Sequence, residues 1–318
     1  MIPIPLPNWY IAPYNSKYPQ ATGFNRGYLF FGDDLGGIYS NINRTLSFAT
    51  YTETTHTAFS TARRIQPMSC ASPTHVYQFK GYTTSGYTST VNKVSAFTST
   101  ESVPTISFSV ERRGGMIVMP HFQRSRMYYV AGYSDSTGVY TANTSYVTQN
   151  TETETAASNA VSTGRHMGGT MMTNVVAQLV GGYTAGGGTT NANDQYTFAT
   201  DTRATSTGDT YNTQNPTCFS SNVSGYRFSG VGMGATTNTK YSFAGNTWSA
   251  TTNTPDSNGQ IFGAGPVVNE YEGIIFAGYQ SYAKRIVYRL TWSTEVFTNS
   301  SYTTGDPNAG FNYYPGTY

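Results

Sequence analysis

Apolar and small polar residues alternate along the whole chain in short runs, and six of these runs close in a similar way. They are Tyr28-Leu-Phe-Phe-Gly-Asp33, Tyr77-Gln-Phe-Lys-Gly-Tyr82, Tyr128-Tyr-Val-Ala-Gly-Tyr133, Gln178-Leu-Val-Gly-Gly-Tyr183, Tyr226-Arg-Phe-Ser-Gly-Val231 and Ile274-Ile-Phe-Ala-Gly-Tyr279. Aligned on their ends, the marker position falls at Asp33, Gly81, Gly132, Gly182, Gly230 and Gly278, in steps of 48, 51, 50, 48 and 48 residues. A period of that length signals a propeller or a solenoid. After each marker and a gap of small polar residues comes a second alternating run: Leu46-Ser-Phe48, Val94-Ser-Ala-Phe97, Tyr146-Val-Thr, Tyr196-Thr-Phe198, Tyr241-Ser-Phe243 and Ile286-Val-Tyr288. Apolar side chains at every second position suit a half-buried strand, because successive strand side chains point to opposite faces. Two weaker runs separate each second strand from the next marker, as in Thr105-Ile-Ser-Phe-Ser-Val110 and Gly115-Met-Ile-Val-Met119.

Four strands per unit and six units predict an all-β, six-bladed β-propeller of four-stranded antiparallel blades. Residues 18–318 form its single domain. Residues 1–17, rich in proline and carrying Trp9, Tyr10 and Tyr14, read as an extended arm, because proline blocks helix and central strand alike. That arm is either a strap across the wheel or a docking segment for another subunit. Residues 18–24 and residues 308–314 both suit the innermost strand of the first unit, and whichever fills it ties the chain ends together and removes an exposed sheet edge.

In the fourth unit, Arg165-His166, Gln178-Leu-Val-Gly-Gly182 and Tyr196-Thr-Phe198 together resemble a kelch repeat, and the likeness runs over residues 18–304. The other units depart from it: the double glycine becomes Lys-Gly, Ala-Gly or Ser-Gly, and the tryptophan of the pattern has counterparts only in Trp248 and Trp292. Kelch resemblance implies a kelch-like propeller and a habit of binding, without naming a ligand.

Composition narrows the function. Charged residues make up 11% of the chain and the net charge is +2, so nucleic acid is not an expected partner. Two basic pairs, Arg63-Arg64 and Arg112-Arg113, fall at matching places in their units and read as structural. No apolar run approaches a membrane span, and Met1-Ile-Pro-Ile-Pro-Leu-Pro lacks the basic start and unbroken apolar core of a signal peptide. The 27 tyrosines and 17 phenylalanines supply the core that a Thr, Ser, Asn and Gly background would otherwise lack.

Candidate chemistry is sparse. Cys70 and Cys218 belong to inner strands three units apart, hence on opposite sides of a six-unit wheel and too distant for a disulfide. They are expected as packed free thiols. The four histidines, His56, His75, His121 and His166, show no zinc spacing, and His121 and His166 suit hydrogen-bonded inner-strand positions. Asp33, Asp34 and Asp135 suit turns, and Asp194 the start of a strand. Gly186-Gly-Gly188 lacks the residues of a phosphate loop and reads as a hairpin tip. No catalytic motif, metal or cofactor is expected.

The gaps after the markers emerge on one face of an up-and-down propeller, and they are rich in Tyr, Ser, Gly, Thr and Asn. That mixture serves antibody loops, where tyrosine gives rigid contact area and the small residues give hydrogen bonds; glycine and asparagine also suit the turns themselves. Tyr39, Tyr87, Tyr140 and Tyr282 are the expected ligand contacts. The low charge, the Thr/Asn/Gly/Tyr bias and the proline-aromatic arm resemble bacteriophage tail and fibre proteins. The expectation is a non-enzymatic virion protein of the tail that attaches to a host-surface glycan or protein, with the arm holding other virion subunits. A polysaccharide-acting enzyme and a cellular kelch-type adaptor or lectin are the alternatives.

Overall fold

A computed structural model describes residues 26–30, 43–47, 50, 52–57, 68–71, 75–83, 86–95, 98, 100–102, 106, 115–118, 126–134, 137–148, 151–157, 160–173, 175–209, 211–214, 216–221, 223–228, 230, 238–251, 265–268, 271–276 and 286–303. Every regular element among them is a strand. Apart from one two-stranded ladder, the described strands form six successive antiparallel sheets, the blades of a six-bladed propeller. Blade 1 shows three strands, Arg26–Phe30, Asn43–Ser47 and Glu53–His56. Blade 2 has Met68–Ala71, His75–Thr83, Gly86–Ser95 and Glu101–Ser102. Blade 3 has Met116–Val118, Arg126–Ser134, Val139–Thr148 and Thr153–Ala156. Blade 4 has Gly169–Met172, Val176–Val180, Asn193–Thr197 and Thr202–Thr205. Blade 5 has Thr217–Ser220, Ser224–Phe228, Asn238–Ser242 and Thr247–Ala250. Blade 6 has Gly265–Val268, Glu272–Phe276, Ile286–Thr291 and Val296–Thr303.

The first strands of blades 2 to 6 neighbour one another in turn, and Arg26–Phe30 of blade 1 lies beside Gly265–Val268 of blade 6, so the sheets run round a common centre and close. Cys70 and Cys218 lie in the first strands of blades 2 and 5, three blades apart, and Cys218 is a free, buried thiol. The candidate closing segments, residues 18–24 and 308–314, lie outside the described residues.

The core sits between adjacent blades. Tyr128, Val130, Ala177, Leu179, Tyr196 and Phe198 fill the junction of blades 3 and 4, and Phe219, Tyr226, Phe228, Ile275, Tyr288 and Leu290 that of blades 5 and 6. These aromatic and aliphatic side chains are what makes a chain of only 37% hydrophobic residues foldable.

Register adds two details to the sequence pattern. Ala177 of blade 4 pairs with Tyr196, and at the matching places Gly225 pairs with Tyr241, Met127 with Val147 and Gly273 with Leu290. The counterpart of Tyr196-Thr-Phe198 in blade 6 is therefore Leu290-Thr-Trp292, two turns of the alternation beyond Ile286, and in blade 3 it begins at Val147 and not at Tyr146. Trp292 consequently holds the place of Phe198 and Phe243, and each of these three residues donates its backbone N–H to the turn between the first two strands: Phe198 to Val175 O, Phe243 to Val223 O and Trp292 to Tyr271 O. Trp248 lies instead on the fourth strand of blade 5, where its blade 6 counterpart is Phe297.

A device the sequence reading did not find links the blades. In the turn between third and fourth strands, Glu152, Asp201, Asn246 and Glu295 all adopt the left-handed backbone, with φ of 52, 51, 51 and 53°. The three carboxylates among them take donors from the preceding blade. Asp201 accepts Tyr128 Oη at 2.5 Å and Arg126 Nη1 at 2.7 Å, Glu295 accepts Tyr226 Oη at 2.7 Å and Lys240 Nζ, and Glu152 accepts Lys93 Nζ at 2.5 Å. At the junction of blades 4 and 5, Gln178 Nε2 donates to Tyr241 Oη at 2.7 Å, which in turn donates to Asn246 Oδ1 at 2.5 Å. Burial together with the Asp201 carboxylate pushes Tyr128 up to about 12, so it remains a donor.

Candidate functional site

In a four-stranded up-and-down blade, the connection from second to third strand and the connection to the next blade share one face of the wheel. Backbone bonds stitch the two kinds of connection together in blade 4: Gly182 N–H donates to Thr213 O at 2.7 Å, and Thr213 N–H to Thr190 O at 3.1 Å. The marker glycines make that approach possible. Gly132, Gly182 and Gly230 stand at φ of 121, 121 and 127°, a conformation closed to ordinary side chains. A Cβ on Gly182 would also lie 2.8 Å from His166 O. Asp33 of blade 1 lies outside the described residues.

Arg165 and His166 arrive on this face in a two-stranded ladder with Tyr183 and Thr184. Arg165 is fully buried, with Nη2 2.8 Å from Asp194 Oδ2 and 3.0 Å from Leu179 O. Asp194, also fully buried, further holds Arg203 Nε at 2.6 Å and the Ser162 hydroxyl at 2.9 Å. Burial pushes Asp194 up, but the Arg165 charge and the hydrogen bonds of Arg203, Arg165 and Ser162 outweigh it and hold the carboxylate below its usual value. Blade 5 repeats the idea with other residues: Arg227, fully buried, sits 2.6 Å from Asp209 Oδ2. Asp194 stands at the start of a strand, as its sequence suggests, while its partner Arg165 comes from the connection between blades 3 and 4.

With Arg165 fixed, His166 forms the centre of an aromatic group. Tyr140 stacks on the imidazole at 5.1 Å between centroids, and Tyr133 and Tyr183 flank it at 5.7 Å each. Tyr133 meets Tyr140 edge-on at 4.9 Å, across the strand pair in which the two stand opposite each other. His166 is 7% exposed, while the three tyrosines are half-buried. This group presents amphipathic rings from three connections on a single surface, an arrangement suited to flat, partly apolar ligands with hydroxyls. Among the described residues, no three or more His, Cys, Asp or Glu side chains gather as a metal site would require.

Of the expected ligand contacts, Tyr140 is placed on this face, though its ring rests in the aromatic group and does not project freely from the hairpin tip. Tyr87 stands opposite Tyr82 in blade 2, matching the Tyr140–Tyr133 pair of blade 3 in backbone position. Tyr39 and Tyr282 lie outside the described residues, as do Trp9, Tyr10 and Tyr14 of the arm, the pairs Arg63-Arg64 and Arg112-Arg113, Asp34, Asp135 and His121. His166 is buried as expected, but on the ladder leading into the blade and not on its inner strand. His56 Nε2 lies 2.8 Å from Thr45 Oγ1, and burial first, then the nearby Lys93 charge, lowers His75. Gly186-Gly-Gly188 is an exposed turn closed by Thr184 N–H on Gly188 O.

No family model matches the chain, and none of the curated proteins does. Among solved structures, one titled "Structure of YjhT", a kelch-repeat β-propeller, superposes with a TM-score of 0.70 at 13% identity, covering 87% of this chain and 94% of that chain. The fold is thus that of a kelch-like propeller, and identity this low speaks to the fold alone.

Proposed function

We propose that this propeller is a non-enzymatic binding protein that attaches to a host-surface glycan through the face carrying Tyr140, Tyr133, Tyr183 and His166. The observation behind the reading is that aromatic group: half-buried tyrosine rings locked around one imidazole, surrounded by Thr, Ser, Gly and Asn. Locked rings present contact area with little conformational entropy left to lose on binding, which favours affinity. The low charge and the Thr/Asn/Gly/Tyr bias favour a virion tail as the setting, with the arm of Trp9, Tyr10 and Tyr14 holding neighbouring subunits.

Binding of a host-surface glycan preparation by Tyr140→Ala and Tyr87→Ala variants, at low and high salt, tests the reading. Both variants should fold as the wild type and bind several-fold more weakly, with little dependence on salt. Unchanged binding in both would move the site elsewhere, and affinity falling steeply with salt would point to a polyanion held by counterion release.

A further inference from the structure

We infer that the ligand is an uncharged oligosaccharide and that Tyr211 forms a second stacking platform for it, an inference that rests on the proposed function. Tyr211 stands in the connection from blade 4 to blade 5, on the same face as the aromatic group. Its side chain is 41% exposed, and its segment is held from below: Arg227 Nη1 donates to Tyr211 O at 3.2 Å, and the guanidinium lies 5.8 Å from the ring centroid. Arg227 itself is fixed by Asp209. An exposed ring on a connection anchored to a buried ion pair is a prepared surface, not a loose loop.

The connection that carries Tyr211 is bonded through the backbone to the one that carries Tyr183. Thr213, two residues beyond Tyr211, accepts the Gly182 N–H, and the next residue, Tyr183, has its ring 6.1 Å from that of Tyr140. A strip therefore runs from Tyr140 through Tyr183 to the Tyr211 connection, longer than one ring.

Charge selects the ligand class. The ionisable groups described beneath the strip, Arg165, Asp194, Arg227 and Asp209, are each at most 2% exposed and form the Arg165–Asp194 and Arg227–Asp209 pairs; Arg203, 24% exposed, directs its Nε to Asp194, and His166 is 7% exposed among the tyrosines. Among the described residues of these connections, none of the exposed or half-exposed side chains is charged. The Tyr133–Tyr140 hairpin adds one ionisable residue, Asp135, outside the described residues and acidic. The opposite face, by contrast, carries Lys93, Arg126, Glu152, Asp201, Lys240 and Glu295. A carboxylate or sulfate laid on the strip would lose water without gaining a cation, which is costly. A neutral sugar loses little, stacks its apolar face on tyrosine and directs its hydroxyls to Thr, Ser and Asn.

The test uses the full chain and calorimetric titration with cello-, malto- and N-acetylchito-oligosaccharides of two to six units, beside oligogalacturonates and sialylated oligosaccharides. At least one neutral series should bind, gain affinity with length, and outcompete the acidic probes. Tyr211→Ala should weaken binding of the longer neutral probes by about tenfold and abolish the gain with length, whereas Tyr211→Phe should keep it. Because Tyr211 is exposed, both variants should fold, as circular dichroism will verify. Acidic probes binding better than neutral ones, or a Tyr211→Ala variant equal to wild type at every length while Tyr140→Ala is impaired, would overturn this inference and leave the proposed function standing. A chain that binds no saccharide, or whose binding ignores Tyr140→Ala as well, would overturn both.

Discussion

Replacing Asp201 by glycine sets two physical effects against each other, and the sign of the result decides which governs the blade junctions. At φ 51°, Asp201 occupies a region that costs a residue with a side chain about 1–2 kcal/mol. Glycine would recover most of that, less about 0.5–1 kcal/mol of extra chain entropy lost on folding. Against this gain stands the side chain itself. Its Oδ1 accepts Tyr128 Oη at 2.5 Å, a bond to a charged group of about 1.5–3 kcal/mol. The Arg126 pair at 2.7 Å has both side chains about one-third exposed, 36% and 33%, so solvent screening limits it to about 0–1 kcal/mol. Asp201→Gly should therefore lose about 1–3 kcal/mol in spite of its better backbone. Asp201→Asn, which tolerates the same φ and still offers an oxygen, should fall between glycine and wild type. Urea unfolding followed by circular dichroism gives the comparison, as a lowered midpoint at unchanged slope. A Tyr128→Phe/Asp201→Asn double-mutant cycle should show a coupling of about 1 kcal/mol or more. A glycine variant as stable as wild type, or more so, would refute the reasoning and reduce these side chains to ornaments of a turn.

Two further outcomes follow from the buried groups. Asp194 has its carboxylate held below the usual range, so its stabilisation is complete above the unfolded-state value near 4 and is lost as pH falls through the lower folded value; the urea midpoint of wild type should drop between pH 7 and pH 3, and that of Asp194→Asn, lower at neutral pH, should drop less. The Cys218 thiol is pushed up to about 12 by burial, chiefly through loss of solvent around the thiolate, so at pH 8 iodoacetamide should leave it unlabelled in the folded protein and label it in urea; rapid labelling of the native chain, read by mass spectrometry, would contradict its packing between blades 4 and 5.

The repeat was legible because a blade is held together locally. Alternation of apolar residues, the marker glycines and the strand count are properties of about fifty consecutive residues, and the φ of Gly132, Gly182 and Gly230 confirms why small residues recur there. Alternation alone left register open: Ile286-Val-Tyr288 satisfies the pattern as well as Leu290-Thr-Trp292, and only pairing with Gly273 chooses between them. The junctions and the site lay further beyond reach. Tyr128 and Asp201 are 73 residues apart in sequence, in different blades, and neither carries a local signal for the other. Glu152 and Glu295 share the left-handed turn of Asp201 although glutamate has no special liking for it, since the bond to the neighbouring blade compensates the strain. Tyr140 could be named from its small polar neighbours, but its stacking on His166 required three connections to be brought onto one face. Tyr211 shows no pattern at all in sequence; its connection is held by Arg227, which is paired in turn with Asp209. Local chemistry wrote the blades, and the closing of the wheel decided which side chains from separate blades would meet.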